Sequence, residues 1–283
     1  MAADPQRPAD LALPAAGGAT ATYVYGVVAS PMAPDLSAPQ FSAMGLAGLP
    51  GASAPRSLAL GGEIRLVVAD VPLSSYGSEA LEAGMADLAW VSDCAVAHES
   101  MVELLARTGT VVPMKLFTLF SSDQRALVEL GAQAAYLARV LERIAGCAEW
   151  GLRILWHEAR ARAAAPPAAG DGGGRASGRG FLLRKKQEQE GARELARAAR
   201  HESERLYEEL AGLAREARRR PPPTAEAGAR LLLDAAFLVP VDRTSGFDGV
   251  VRRGADRLAA GACEVTLSGP WPAYNFIAEE PPA

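Results

Sequence analysis

One histidine–glutamate pair is the first place in this sequence where residue types and spacing suggest chemistry. His98 and Glu99 open the stretch HESMVELL, in which apolar residues recur at helical spacing. A zinc-binding helix of the HExxH kind needs a second histidine four residues after the first, so that both imidazoles share one face. That position holds Val102, so two ligands do not converge. The pair is therefore interpreted as hydrogen-bonding groups at a helix start.

The other candidates for catalysis or ligand binding are isolated in the sequence. Three widely spaced cysteines, Cys94, Cys147 and Cys263, are typical of buried thiols in a reducing compartment rather than of disulfides. The glycines at 172–174 lack the strand and the GK[ST] ending of a phosphate loop. Glu149 could be a perturbed carboxylate, but it has no obvious partner. We assign no catalytic, cofactor-binding or metal-binding residue and expect a protein that is not an enzyme.

Composition limits the classes of partner. The chain has 283 residues and a formal net charge of −4, which gives no case for binding nucleic acid or an anionic membrane. No apolar stretch reaches the roughly 18 residues needed to span a bilayer, and we expect a soluble protein. Residues 1–20 lack the basic start and apolar core of a signal peptide, and their Ala, Pro and Gly content predicts a disordered tail.

The elements that must position these residues follow from hydrophobic periodicity and breakers. The predicted strands are residues 22–28, 57–60, 63–70, 111–116, 149–156, 230–240 and 263–267. The predicted helices are residues 78–89, 92–107, 123–145, 182–219 and 245–260. Ser92 or Asp93 is expected to cap the second helix, and Ser122 or Asp123 the third. The third helix carries one continuous apolar seam, and the three arginines at 218–220 are expected to form the basic end of the fourth.

The order of these elements predicts an α+β protein in two halves that divide near Gly146. We expect an N-terminal α+β domain over residues 21–145 and a C-terminal domain over residues 146–283. Residues 160–180, rich in glycine, arginine and alanine, predict a flexible insertion in the second domain. The aromatic tail at 269–276 should dock on that domain. Two flanking prolines hold Trp271 extended, and its ring is expected to be buried.

Several short motifs, in order along the chain, resemble the gas vesicle protein GvpF/GvpL family. The matching pieces are YVYGV (23–27), GLAG (45–48), HE (98–99), GTVVPM (109–114), EWGL (149–152), AFLV (236–239) and GPWPAYNF (269–276). Together they span residues 22–276. The resemblance implies two α+β domains, of which the C-terminal one is a modified ferredoxin-like fold.

The sequence departs from the family pattern directly after the GTVVPM motif. The family continues with an arginine and then Phe-Gly-Thr, whereas this chain has Lys115, Leu116, Phe117 and Thr118. Lysine keeps the charge but lacks the planar guanidinium fork. Phe117 stands in place of a glycine, so we expect the local turn to avoid positive φ.

The resemblance implies a minor structural or assembly protein of gas vesicles. Such a protein would contact the main shell protein GvpA, and other gas vesicle accessory proteins, in the cytoplasm during vesicle formation, without catalysis. The alternative is an enzyme or small-ligand-binding module on a ferredoxin-like scaffold, which should show a deep cleft with converging polar groups. An RNA-binding sheet is a third hypothesis, and it requires exposed aromatic rings on adjacent strands together with a basic face.

Overall fold

The computed structural model describes residues 18–29, 48–164, 178–221 and 229–277. It is a mixed helix-and-sheet protein with two separate sheets. The described residues up to Gly146, together with those from Pro272 onward, form one compact unit, and Cys147–Trp271 form the other. The sequence prediction groups the tail after Trp271 with the second domain, and this is wrong because those residues pack within the first unit. None of the helices in the described ranges is long and apolar enough to cross a bilayer.

Several predictions fall wholly or partly outside the described residues. Most of the predicted tail at 1–20 and the middle of the insertion at 160–180 lie there, as do residues 30–47 with most of the GLAG motif. The two ends of the insertion are described, and they are helical rather than irregular. One helix includes residues 160–164 and buries Ala161, while another begins at Gly178.

The first unit is built on an antiparallel sheet whose central strand is almost wholly buried. Its strands are β1 (Thr20–Ala29), β2 (Arg56–Gly61), β3 (Ile64–Pro72), β4 (Val111–Pro113) and β5 (Leu119–Phe120). The order is β2-β3-β1-β4, and β5 also pairs with β1. The predicted strand at 111–116 is shorter than expected because the chain leaves the sheet after Pro113. Gly26 allows β4 to approach β1, since a Cβ there would stand 2.8 Å from Val111 Cγ2.

Five α-helices lie in the described residues of the first unit. They are α1 (Leu73–Tyr76), α2 (Ser78–Gly84), α3 (Leu88–Thr108), α4 (Asp123–Gly131) and α5 (Ala134–Ile144). The prediction that α3 begins near Ser92 is wrong, because the Asp87 carboxylate accepts hydrogen bonds from the amides of Ala89 and Trp90 and caps the helix earlier. The Ser122 cap of α4 is confirmed by its bond from the Arg125 amide.

The continuous helix predicted over residues 123–145 is instead two helices. Ala132 and Gln133 form a turn between α4 and α5, in which the Gln133 amide donates to the Leu130 carbonyl, three residues earlier, at 3.0 Å. The apolar seam survives this turn, because Leu130 and Leu137 are both buried. The apolar seam therefore predicts correctly which residues are buried, but it does not predict that the helix is broken.

The second unit alternates strands and helices around a four-stranded antiparallel sheet. Its elements are β6 (Cys147–His157), α6 (Glu158–Ala164), α7 (Gly178–Ala211), β7 (Glu216–Arg219), β8 (Ala229–Pro240), α8 (Thr244–Ala259) and β9 (Cys263–Trp271). The strand order is β7-β8-β6-β9. The side chains of α7 and α8 cover one face of the sheet, with Leu206, Phe237 and Phe247 fully buried between them.

The arginines predicted at a helix end lie on a strand. The helix α7 ends at Ala211, and Arg218 and Arg219 belong to β7, which pairs with β8. Arg219 is held there by the Glu204 carboxylate and by the ring of Tyr207, 4.1 Å from its guanidinium carbon. Strand pairing and these contacts override the helical pattern of charge that continues through the sequence.

Trp271 is not the anchor of the C-terminal tail. It ends β9 with 42% of its surface exposed, whereas Phe276 is fully buried and Ile277 is 2% exposed. The carbonyl of Phe276 accepts a hydrogen bond from Arg143 on α5, and that of Ile277 accepts one from Tyr136 on the same helix. The predicted burial of Trp271 is wrong because the strand turns its ring toward solvent.

We predict that Phe276→Ala and Trp271→Ala differ sharply in stability. Loss of the buried Phe276 ring should lower the free energy of unfolding by about 3–5 kcal/mol. Loss of the half-exposed Trp271 ring should lower it by less than about 1.5 kcal/mol, because little area returns to water. Urea unfolding followed by far-ultraviolet circular dichroism measures both variants. Equal losses would contradict this placement of the tail.

Candidate functional site

His98 lies in the core of the first unit and uses both of its ring nitrogens. It is on α3, 4% exposed, with Nε2 3.0 Å from the Met114 carbonyl and Nδ1 2.7 Å from the Tyr23 hydroxyl. A carbonyl can only accept, so Nε2 carries the proton, and Nδ1 accepts from Tyr23. The Tyr23 hydroxyl in turn accepts from the Phe117 amide at 3.3 Å. One imidazole therefore joins α3 to β1 and to the segment after β4.

Burial keeps this imidazole neutral. It lowers the pKa of His98 to about 4, because the charged form loses its hydration, and the Met114 carbonyl offsets only part of that effect. The rings of Tyr23 and Tyr25 surround the imidazole, the first edge-on and the second stacked with centroids 5.9 Å apart. Burial also raises the pKa of the Tyr23 hydroxyl, which stays protonated. The network is a fixed set of neutral hydrogen bonds.

Glu99 holds a different segment from its neighbour. Its Oε2 accepts a hydrogen bond of 2.7 Å from the hydroxyl of Tyr274, whose pKa is raised by burial. The pair therefore ties two stretches to α3, residues 114–117 through His98 and the C-terminal tail through Glu99. The expected hydrogen-bonding role is confirmed, although the pair lies in the middle of the helix rather than at its start. The zinc interpretation also fails on geometry, since no imidazole lone pair is left for a metal.

The turn after β4 adopts the conformation that the sequence argued against. Phe117 has φ 64°, in the left-handed region, so the expectation that it avoids positive φ is wrong. Its ring stacks on Trp90 with centroids 5.5 Å apart and planes 5° apart. The left-handed strain of roughly 1–2 kcal/mol is offset by the stacking and by the amide bond to Tyr23. Lys115, in the place of the family arginine, is exposed in the same turn.

The three cysteines are not activated nucleophiles. Cys94 and Cys263 are buried and Cys147 is partly buried, and all three are free thiols. Burial raises the pKa of each, that of Cys263 to about 11. All three therefore remain protonated near neutral pH, whereas a catalytic thiolate requires a lowered pKa. Within the described ranges, no group of three or more His, Cys, Asp or Glu side chains could hold a metal.

A buried carboxylate in the second unit was missed by sequence reasoning. The side chain of Asp234 on β8 is 3% exposed, and it receives Arg153 at 2.9 Å and Arg220 at 2.5 Å on opposite oxygens. Two guanidinium groups fully satisfy the carboxylate, so the cluster is structural. The available signal was one aspartate inside the apolar run RLLLDAAFLVP.

The face of the second sheet that carries Asp234 does not resemble an RNA-binding surface. Alternation places Arg153, Leu155 and His157 of β6 and Ala236 and Leu238 of β8 on the face opposite the helices. The rings on this face are His157 at one end, bound to Glu264, and the exposed Trp271 of β9 at the other end, opposite Glu149. They are not neighbours, whereas the RNA hypothesis requires exposed aromatic rings on adjacent strands.

A pocket lies between the helices and one end of the second sheet. Its volume is about 260 Å³, and its lining is mixed in charge: Trp156, Glu158, Arg162, Gln189, Ala192, Arg193, Ala196 and Arg230. Glu158 is already paired with Arg162 one helical turn away. The lining contains no histidine, cysteine or hydroxyl group, so it lacks a nucleophile with an adjacent base.

The comparisons with known proteins decide the family. Residues 21–278 match the family model described as gas vesicle synthesis protein GvpL/GvpF. The chain belongs to the GvpL/GvpF family. It is also 30% identical over 236 residues to gas vesicle protein L of Streptomyces sp. (strain CB03234), covering 80% of this chain and 85% of that one.

Two solved GvpF structures share the fold. The crystal structure of GvpF from Anabaena sp. PCC7120 matches with a TM-score of 0.63 at 18% identity, over 93% of this chain and 100% of that one. GvpF from Microcystis aeruginosa matches with a TM-score of 0.59 at 15% identity, over 92% and 99%. The resemblance expected from the short motifs is thus confirmed, and the HE pair of this GvpL/GvpF chain lies at a structural junction.

We predict that His98 makes stability depend on pH between 7 and 5. Its pKa is lower in the folded state than the ordinary value near 6.5, so the unfolded chain binds the proton first as pH falls. Stability is therefore full above pH 6.5 and is lost toward pH 4, by about 2 kcal/mol at pH 5. His98→Gln can keep one donor and one acceptor and should lack this loss. Urea unfolding midpoints of the wild type and of His98→Gln, each measured at pH 7 and pH 5, test this prediction. An equal fall in midpoint between the two pH values in both proteins would contradict it.

We predict that Phe117→Gly is more stable than Phe117→Ala by about 1 kcal/mol. Both variants lose the ring that stacks on Trp90, but only glycine relieves the left-handed strain. The matched control is Ala106→Gly on an exposed turn of α3, where glycine should instead lower stability by about 1 kcal/mol. Thermal unfolding compares the three proteins. An alanine variant at least as stable as the glycine variant would show that φ is not positive at this position.

Proposed function

We propose that this GvpL/GvpF protein is a minor structural or assembly component of gas vesicles that contacts the main shell protein GvpA during vesicle formation. The proposal places it in the cytoplasm, at the vesicle, and gives it no catalytic step. The observation that carries it is the family match over residues 21–278, which includes both units. Other gas vesicle accessory proteins are proposed as further partners.

The chemistry of the described residues supports a role in binding rather than turnover. His98 and Glu99 are the groups that most resemble a catalytic set. Their side chains are hydrogen-bonded to Met114, Tyr23 and Tyr274. The buried Asp234 carboxylate of the second unit is neutralised by two arginines. Polar groups that are bonded in this way fix segments of the chain to one another, and they have no unused donor or acceptor for a substrate.

We also propose that the second unit is a modified ferredoxin-like domain. Its order is strand, helix, strand, strand, helix, strand, with the additional short helix α6 after the first strand. The spatial order β7-β8-β6-β9 places the first and third strands at the centre, as that fold requires. A small-ligand-binding module on this scaffold is the alternative, and the 260 Å³ pocket is the observation in its favour.

Flotation and direct binding test the proposed function together. In cells that make gas vesicles, deletion of this gene should reduce the number of vesicles and the floating fraction, and the wild-type gene should restore both. Purified full-length protein should retain GvpA in a pull-down, with the bait-free resin as control. Normal flotation after deletion, together with no retention of GvpA, would refute the proposal.

A further inference from the structure

Helix α2 and most of helix α3 lie in a stretch of sequence that contains acidic residues but no lysine or arginine. Residues 73–106 contain six carboxylates and neither lysine nor arginine. Asp87 caps α3 and Glu99 binds Tyr274, so two of the six have partners. The other four are Glu79, Glu82, Asp93 and Glu103. In the described part of the chain, no lysine or arginine forms an ion pair with these four.

Exposed apolar side chains are concentrated on the same helices. Six large hydrophobic side chains are exposed in the described residues, and three of them lie between residues 85 and 96. Met85 is 53% exposed, Leu88 is 81% exposed and Val96 is 63% exposed. Leu88, Ser92 and Val96 recur every four residues, so they share one face of α3, and Asp93 lies beside Val96 on that face. We call this surface, with Glu82 and Met85 at the end of α2, the α2–α3 face.

Internal stability does not explain the α2–α3 face. Elsewhere in the described chain several exposed acids lie one helical turn from a base, as in the Arg162–Glu158 and Lys186–Glu190 pairs. Acids of one sign on neighbouring turns repel one another, and exposed apolar side chains gain nothing from solvent. Both features become favourable when a surface with the opposite charge and an apolar centre covers them.

We propose that the α2–α3 face is the docking surface for a partner segment in which a short apolar run is flanked by lysine or arginine. The apolar side chains would cover Leu88 and Val96, and the basic groups would lie against Glu82 and Asp93. The sign of the charge selects this occupant, because an anionic membrane would be repelled by the same carboxylates. The inference rests on the proposed function, since the partner is taken to be a gas vesicle protein.

Charge-reversal variants test the electrostatic part. The double variant Glu82→Lys/Asp93→Lys should weaken binding of the full chain to immobilised GvpA roughly tenfold at 50 mM NaCl, mainly through slower association. The matched control is Glu188→Lys/Glu208→Lys, which adds the same charge at exposed positions of α7 and should change affinity less than about twofold. Raising the salt to 300 mM should weaken the wild type and reduce the difference between the two variants.

Apolar variants test the contact itself. Leu88→Ser/Val96→Ser should speed dissociation from GvpA roughly tenfold, because buried apolar contacts act mainly on the off-rate. Val128→Ser/Val241→Ser, at the similarly exposed positions outside the face, should leave the rate unchanged. All four positions are on the surface, and circular dichroism confirms that each variant is folded before binding is measured.

The outcomes separate this inference from the proposed function. Wild-type binding that all the face variants retain would overturn the docking surface and leave the proposed function standing. Absence of wild-type binding to GvpA would count against the proposed function, and an amphipathic leucine–lysine peptide, with its leucine–glutamate counterpart as control, would then decide the inference. Equal binding of the basic peptide to the wild type and to Glu82→Lys/Asp93→Lys would overturn it. A change in sedimentation coefficient in Leu88→Ser/Val96→Ser would also overturn it, since the occupant would then be a second copy of the chain.

Discussion

The first unit depends on one neutral imidazole that uses both of its nitrogens inside the core. His98 donates to a carbonyl and accepts from Tyr23, so protonation at Nδ1 would break the bond from that hydroxyl as well as bury a charge. The bond chain continues through the hydroxyl to the amide of Phe117. Few side chains supply a donor and an acceptor at this separation on a rigid ring, which explains why a histidine occupies an otherwise apolar helical face.

This constraint divides α3 into two faces with different roles. The inner face carries Cys94, His98 and Met101 into the core, and the backbone of the helix is fixed by what those residues contact. The outer face carries Leu88 and Val96 to solvent. A rigid helix that presents side chains at fixed spacing is a better docking element than a loop, because less conformational entropy is lost on binding. The contacts around His98 therefore fix the position of the helix that carries Leu88 and Val96 on its other side.

The sequence predicted strands better than helix ends or long-range polar contacts. Strands such as β6 and β8 have alternating or continuous apolar residues, and a local pattern is enough to identify them. The start of α3 was missed because Asp87, Ser92 and Asp93 are all good caps, and only tertiary packing decides among them. The contact of His98 with Tyr23 joins residues 75 positions apart, so no local pattern contains it. The positive φ of Phe117 is equally hidden, because it depends on the distant ring of Trp90.

The carboxylates of this protein fall into two groups: one that stabilises the fold and one that is exposed and free to bind a partner. Asp234 is removed from water, and the chain supplies two arginines to it, because an unpaired buried charge would cost several kcal/mol. Glu82 and Asp93 stay in water, where a lone carboxylate costs little and needs no partner for folding. Acids that folding does not require, grouped with exposed apolar side chains, are available for association. The proposed function would use these available groups to bind a partner protein.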